Sequence, residues 1–263
     1  PILIKLDVQR ICDHIVAWLD DYAQQSGVQG FIVGISGGID SALTSALCAL
    51  TNRKTVLVNM PIRQTKPEYE RACEHIADLK KRFSNVTSFE VDLTEAFEVL
   101  ERTYPKEVVA NQLAMANTRA RLRMTTLYAL GQANGCLVAG TGNKIEDFGI
   151  GFFTKYGDGG VDLSPIADLT KTQVKVLATH LGVIESILAA KPTDGLWADG
   201  RSDEDQIGAS YPELEWAMDY KGNELILSDR EREVLTIFRK FNKANKHKME
   251  PIPVCLIPKE FFD

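Results

Sequence analysis

An α/β fold, a parallel sheet flanked by helices on both faces, follows from three observations on this 263-residue chain. Short apolar runs alternate with amphipathic stretches of helical period. The first run, Phe31–Val33, passes straight into a glycine-rich turn that opens a helical stretch. Later runs are each separated by a helix, which calls for crossover connections and parallel pairing.

The elements follow in order. Val8, Ile11, Cys12, Ile15, Trp18, Leu19 and Tyr22 fall at helical spacing and predict an amphipathic helix over residues 7–25. Residues 31–35 read as a strand and 40–51 as a helix. Residues 55–60 form a second strand ended by Pro61, and 67–82 a charged helix. Residues 86–91 read as a third strand and 93–103 as a helix. A long helical region over about 107–134 stops at Gly135, and 136–139 is a fourth strand. Residues 141–165 hold many Gly and few helix or strand cues. Further helices are predicted at 170–181 and about 229–246. Between them, 190–213 is loop-rich and then helical, and a Pro-rich tail closes the chain. The expectation is one domain over 1–263.

Composition narrows the classes. Apolar content of 44% and charged content of 25% are ordinary for a globular protein. A net charge of −6 argues against general nucleic-acid binding. The five Cys, at 12, 48, 73, 136 and 255, include no Cys-x-x-Cys pair. They read as reduced core thiols in the cytoplasm. The four His are scattered, so no zinc site is expected. No apolar run reaches the ~18 residues of a membrane span, and no export signal is visible.

The most informative segment is Gly34-Ile-Ser-Gly-Gly-Ile-Asp-Ser41. A turn between a strand and a helix aims several backbone N–H groups at one point, where the helix dipole adds positive charge. Gly37 and Gly38 allow close approach of an anion. Asp40 would repel a phosphate unless a Mg²⁺ lay between them. A plain capped strand–helix turn is the competing reading. A Walker A loop is excluded because Ile39-Asp40, not Lys, follows the last Gly, and no Gly-x-Gly-x-x-Gly occurs.

Other segments leave two readings each. Glu146, in Gly140-Thr-Gly-Asn-Lys-Ile-Glu146, is a second metal carboxylate or a solvated surface residue. Gly151-Phe-Phe-Thr-Lys-Tyr-Gly-Asp-Gly-Gly160 is a functional loop, with Lys155 for an anion and Asp158 as a base, or a packed Ω-loop. Arg119, Arg121 and Arg123, two apart on a helix, cannot all face one site. Lys171 opens a helix, where the dipole disfavours a cation, so an anionic partner is expected. His247-Lys248 is a ligand contact or a solvated helix end.

Taken together these motifs resemble a known family. Ser36-Gly-Gly-Ile-Asp-Ser41 is similar to the pyrophosphate-binding loop of the N-type ATP pyrophosphatases. Residues 140–146, 151–160, Lys191-Pro-Thr193 and His247-Lys248 narrow the resemblance to NAD synthetases over nearly the whole chain. The resemblance implies an adenine nucleotide alpha hydrolase-like, three-layer arrangement. It also implies amidation of deamido-NAD by ammonia, through an adenylated intermediate, with ATP converted to AMP and pyrophosphate. Gly34, Ile35, Ser36, Gly37, Gly38, Ile39, Asp40, Ser41, Thr141, Lys171 and Thr193 would contact ATP. Asp40 and Glu146 would hold Mg²⁺. Arg121, Lys155, Asp162, His247 and Lys248 would contact deamido-NAD, and Asp158, Lys171 and Asp40 would be catalytic. A homodimer is implied, with the apolar first helix a candidate for its contact. No glutaminase domain or Cys-based amidase motif is expected, so ammonia would come from outside the chain. Two departures stand out. Asn59 replaces an Arg common among relatives, and Asp147-Phe-Gly-Ile-Gly151 is one residue longer than in some bacterial members.

Overall fold

The computed structural model describes residues 6–193 and 202–262. Four parallel strands, β1 (Gly30–Gly34), β2 (Lys54–Asn59), β3 (Val86–Glu90) and β4 (Cys136–Val138), lie in the order β3-β2-β1-β4. The order reverses between β1 and β4, which is where α/β sheets open a crevice at their carboxyl ends. Period-two side-chain alternation divides the strands between two cores. Phe31, Val33 and Leu57 face one layer, and Ile32, Val56, Val58 and Val138 face the other.

The first layer holds α1 (Val8–Ser26), α2 (Ile39–Leu50), α7 (Lys171–His180) and the short α8 (Glu185–Leu188). The predicted face of α1 is the one used, with Cys12, Ile15, Leu19 and Ala23 buried. Its end is set by Gly27, whose left-handed backbone lets its N–H bond the last carbonyls. α2 is buried along one continuous run, Ser41–Ala49, as befits a helix covered on most sides. The second face is covered by α6 (Gln112–Ala133), through Leu127, Tyr128 and Leu130. The crossovers α3 (Lys66–Arg82) and α4 (Thr94–Thr103) complete the sheet region.

Three expectations are corrected. The helix expected over 107–134 is two: a short α5 (Lys106–Val109), then α6, because the Asn111 side chain accepts from Ala114 N–H and starts a new helix. Residues 141–165 contain a π-helix, Ile145–Ile150. The thiols are not all in the core: Cys12, Cys48 and Cys136 are buried, Cys73 is half-buried and Cys255 lies in an exposed tail. Residues 194–201, within the stretch expected to be loop-rich, lie outside the described residues.

A separate apolar cluster joins that π-helix to α9 (Asp203–Ile207), α10 (Tyr211–Asp219) and α11 (Asp229–Met249). A π-turn takes one more residue per turn than an α-helix and leaves carbonyls poorly paired. Two α11 side chains meet them: Asn242 Nδ2 donates to Gly149 O at 2.7 Å and Asn245 Nδ2 to Ile150 O at 2.8 Å. The stretch from Glu146 to Gly151 is thus a widened helical turn rather than an open loop.

His75, on α3, is fully buried against α2. Ser45 Oγ donates to Ser41 O at 2.7 Å, so the 2.8 Å contact is assigned as His75 Nε2–H donating to Ser45 Oγ. Nδ1 then has no partner among the described residues. Burial lowers the ring from its ordinary 6.5 to about 4. The unfolded chain therefore takes up a proton that the folded one refuses, and stability falls as pH drops from 6.5 towards 4, by about 3 kcal/mol in all. Urea unfolding across that range should show a shallower decline in His75→Gln than in the parent. Equal slopes would remove this ring as the cause.

Candidate active site

A cavity of about 770 Å³ opens at the carboxyl ends of β1, β2 and β4. All eight residues from Gly34 to Ser41 line it, together with Thr141, Glu146, Lys171 and Thr193. Arg121, Lys155, Asp158, His247 and Lys248 line it as well.

The loop owes its shape to glycine and serine. Gly37 has φ +83°, and a Cβ there would sit 2.5 Å from Glu68 O, so only Gly fits. Ser36 Oγ accepts from Gly38 N–H at 3.1 Å, and Ser41 Oγ accepts from Ser36 N–H at 3.2 Å. Gly38 caps α2 with no side-chain bond, leaving the helix's first N–H groups facing the cavity's anion corner.

Next to the loop, Lys171 joins two carboxylates. Its ammonium bonds Asp40 Oδ2 and lies 3.1 Å from Glu146 Oε1. Burial alone would lower the lysine, but Asp40 and Glu146 overcome it and hold it charged, with the pKa raised. This is the anionic partner anticipated for a cation at a helix start. Asn143 Nδ2 adds a 3.4 Å contact to Asp40 Oδ1. Among the described residues no three His, Cys, Asp or Glu side chains gather into a metal cluster. Asp40 and Glu146 converge on one cationic group, however, and such a pair suits a hard cation whose remaining ligands are phosphate and water.

The opposite wall is a linked strap. Arg121 Nε donates to Lys155 O at 3.2 Å, Lys155 Nζ to His247 O at 3.2 Å, and Lys248 Nζ to Phe153 O at 2.6 Å. Lys248 also stands over the Phe153 ring at 5.0 Å. Gly151, with φ +63°, lets this segment pass α11, since a Cβ would meet Asn245 Cβ at 2.4 Å. Asp158 accepts from Thr154 N–H at 2.8 Å. It lines the cavity with its side chain exposed there, and the protein packed around it pushes its carboxyl up to about 6. Water in the open cavity limits that push.

Asp162 is placed differently. Its oxygens accept from Tyr128 OH at 3.0 Å and Val138 N–H at 2.8 Å, so it closes the edge of β4 and does not line the cavity.

Two of the three α6 arginines line the cavity. Arg123 donates to Met60 O and to Gln64 Oε1, both at 3.0 Å, and burial lowers it to about 10. Arg119 stacks at 5.7 Å on the Phe97 ring instead. Sequence reasoning missed Tyr211, whose hydroxyl lies 2.6 Å from Glu146 Oε1, and Asp203, 3.2 Å from the same hydroxyl. Ser210 and Glu213 form a capping box that marks the start of α10, but no sequence signal tells where its tyrosine reaches.

The chain matches the NAD synthase family over residues 11–252. It is 34% identical over 259 residues to the NH(3)-dependent NAD(+) synthetase of Mesoplasma florum, covering 97% of this chain and 99% of that one. It is 41% identical over 204 residues to that of Mycoplasmopsis pulmonis, covering 77% and 76%. Among solved structures, an NMN synthetase from Francisella tularensis superposes with a TM-score of 0.84 at 30% identity, covering 97% of this chain and all of that one. An NH3-dependent NAD synthetase from Campylobacter jejuni, at 24% identity and a TM-score of 0.76, shares the fold over 95% of this chain. The chain belongs to the NAD synthase family.

Lys171 compensates two largely buried carboxylates, so removing it should leave both uncompensated. Lys171→Met is expected to lose about 3–5 kcal/mol of stability by urea unfolding in EDTA. Adding Asp40→Asn should restore much of it. A single variant as stable as the parent would show that the ammonium is not what balances them.

Proposed function

We propose that this chain is an ammonia-dependent NAD synthetase: it amidates deamido-NAD with ammonia, converting ATP to AMP and pyrophosphate through an adenylated intermediate. The observation that carries this reading is that the Gly34–Ser41 loop and the Lys155–Lys248 strap face each other across one cavity. One side suits a polyphosphate and the other an anionic co-substrate.

A carboxylate resists ammonia until one of its oxygens becomes a leaving group. The nicotinate carboxylate attacks the α-phosphorus of ATP, the α–β bridge breaks, and pyrophosphate leaves. Ammonia then adds to the acyl carbon, AMP leaves with the oxygen that attacked phosphorus, and the added nitrogen sheds a proton to give the amide. Backbone N–H groups of the loop and the N-terminus of α2 hold the phosphates. Lys171 balances charge as it moves between the reacting phosphate and the leaving group. Mg²⁺, held by Asp40 and Glu146 and by phosphate oxygens, would neutralise phosphate charge. Asp158, poised near neutrality, receives the proton shed as ammonium becomes ammonia.

Homology to ammonia-dependent enzymes and the absence, among described residues, of a helix able to cross a membrane agree with a cytoplasmic enzyme. A homodimer is supported by exposed apolar groups: Trp18 and Tyr22 on α1, and Ile252, Val254, Leu256 and Phe261 in the tail.

A second reading concerns acceptor size. The similarity to an NMN synthetase over 97% of this chain supports nicotinate mononucleotide as acceptor. The reacting carboxylate is the same, so the mechanism is unchanged.

Two measurements test these statements. Purified protein with ATP, Mg²⁺, ammonium and each acceptor should release AMP and pyrophosphate, and accumulation of ADP would rule out adenylation. The ratio of kcat/KM for the two acceptors decides between them. In Asp158→Asn, kcat/KM for ammonium should fall at least tenfold and lose its acid limb near pH 6. An unchanged limb would place the base elsewhere.

A further inference from the structure

Tyr211 lies in none of the motifs, yet it is the largest fully enclosed side chain near the cavity, 2% exposed. Its hydroxyl is 2.6 Å from Glu146 Oε1 and 3.2 Å from Asp203 Oδ2, and its ring lies 4.6 Å from Lys171 Nζ.

The two carboxylates assigned to the metal stand on different cores. Asp40 is in the first turn of α2, within the layer shared by α1 and α7. Glu146 is in the π-helix, whose Ile145 and Ile150 pack with Tyr211, Leu214 and Ala217. Something must fix where Glu146 stands relative to Asp40. Lys171 does part of this, but an ammonium on a flexible stem sets no direction. The phenol does, because α10 is locked by packing and the hydroxyl reaches only one point. Glu146 Oε1 receives both Tyr211 and Lys171, and Oε2 accepts from no group among the described residues.

We propose that Tyr211 is a positioning residue for divalent-cation binding: its hydroxyl holds Glu146 through Oε1, so that Oε2 is kept available as the ligand atom. Partners that orient a ligating carboxylate typically alter metal affinity by about 10- to 100-fold when removed. The inference rests on the metal assignment above, but not on the identity of the acceptor.

The test uses Mn²⁺ as probe with α,β-methylene-ATP, read by electron paramagnetic resonance on the full chain. Tyr211→Phe, which keeps the ring, should bind Mn²⁺ about tenfold more weakly. Its affinity for the nucleotide in EDTA should match the parent's, a split that general loosening would not produce. Glu146→Asp, which draws the carboxylate away from the phenol while keeping its charge, should show a similar loss, and adding Tyr211→Phe to it should cost little more. Mn²⁺ binding within twofold of the parent in Tyr211→Phe, or full additivity in the double variant, overturns the proposal. A parent that binds Mn²⁺ and nucleotide but amidates neither acceptor would remove the proposed function and leave the role of Tyr211 standing.

Discussion

One buried ammonium governs the site. Lys171 sits at the first position of α7, where the helix dipole is unfavourable to it, and it is tied to a carboxylate from each of two apolar cores. The arrangement is stable only because every charge has an opposite within reach. Asp40 cannot move without disturbing the anion loop, and Glu146 cannot move without disturbing the π-helix and α11. The chemistry at the mouth of the sheet is thereby mechanically coupled to the helical cluster, which carries the strap at the far wall of the cavity.

The Gly34–Ser41 loop depends on a different constraint, close backbone approach. Gly37 leaves room for Glu68 O of α3, so the loop is wedged between the sheet and a crossover helix. The hydroxyls of Ser36 and Ser41 then knit the turn across its own ends. Such a turn is held by its own packing and hydrogen bonds, and a loop so fixed lowers the ordering cost of binding.

Much of this was legible in the sequence, for identifiable reasons. β1, β2 and β4 are largely buried on both faces, so they stand out as apolar runs, whereas β3 at the sheet's edge is mostly exposed. The loop stands out because glycine spacing and strand-to-helix placement are local properties. The strap was readable as unusual from its aromatics beside Lys155, and the spacing of the three α6 arginines told that not all of them could face one site, as Arg119 does not. What was not legible is tertiary. Asp162 reads like its acidic neighbours, and only the pairing of its segment with β4 turns its carboxylate to Val138 N–H. Tyr211 follows an ordinary capping serine, and its reach to Glu146 depends on how α10 packs on the π-helix. The break at Asn111 depends on one side chain capping α6 inside a stretch of helical composition.

The π-helix ties the site to the helical cluster. Its turn is one residue wider than an α-turn and frees carbonyls, which need donors. Asn242 and Asn245 stand three apart on α11, one helical face, and supply those donors at successive carbonyls, Gly149 and Ile150. With the widened turn pinned on that side, Glu146 at its start meets Lys171 and Tyr211, and the strap at its end meets Lys248. The π-helix and the two asparagines are therefore one structural unit, and losing either asparagine would leave a carbonyl of the widened turn without its donor beside Glu146.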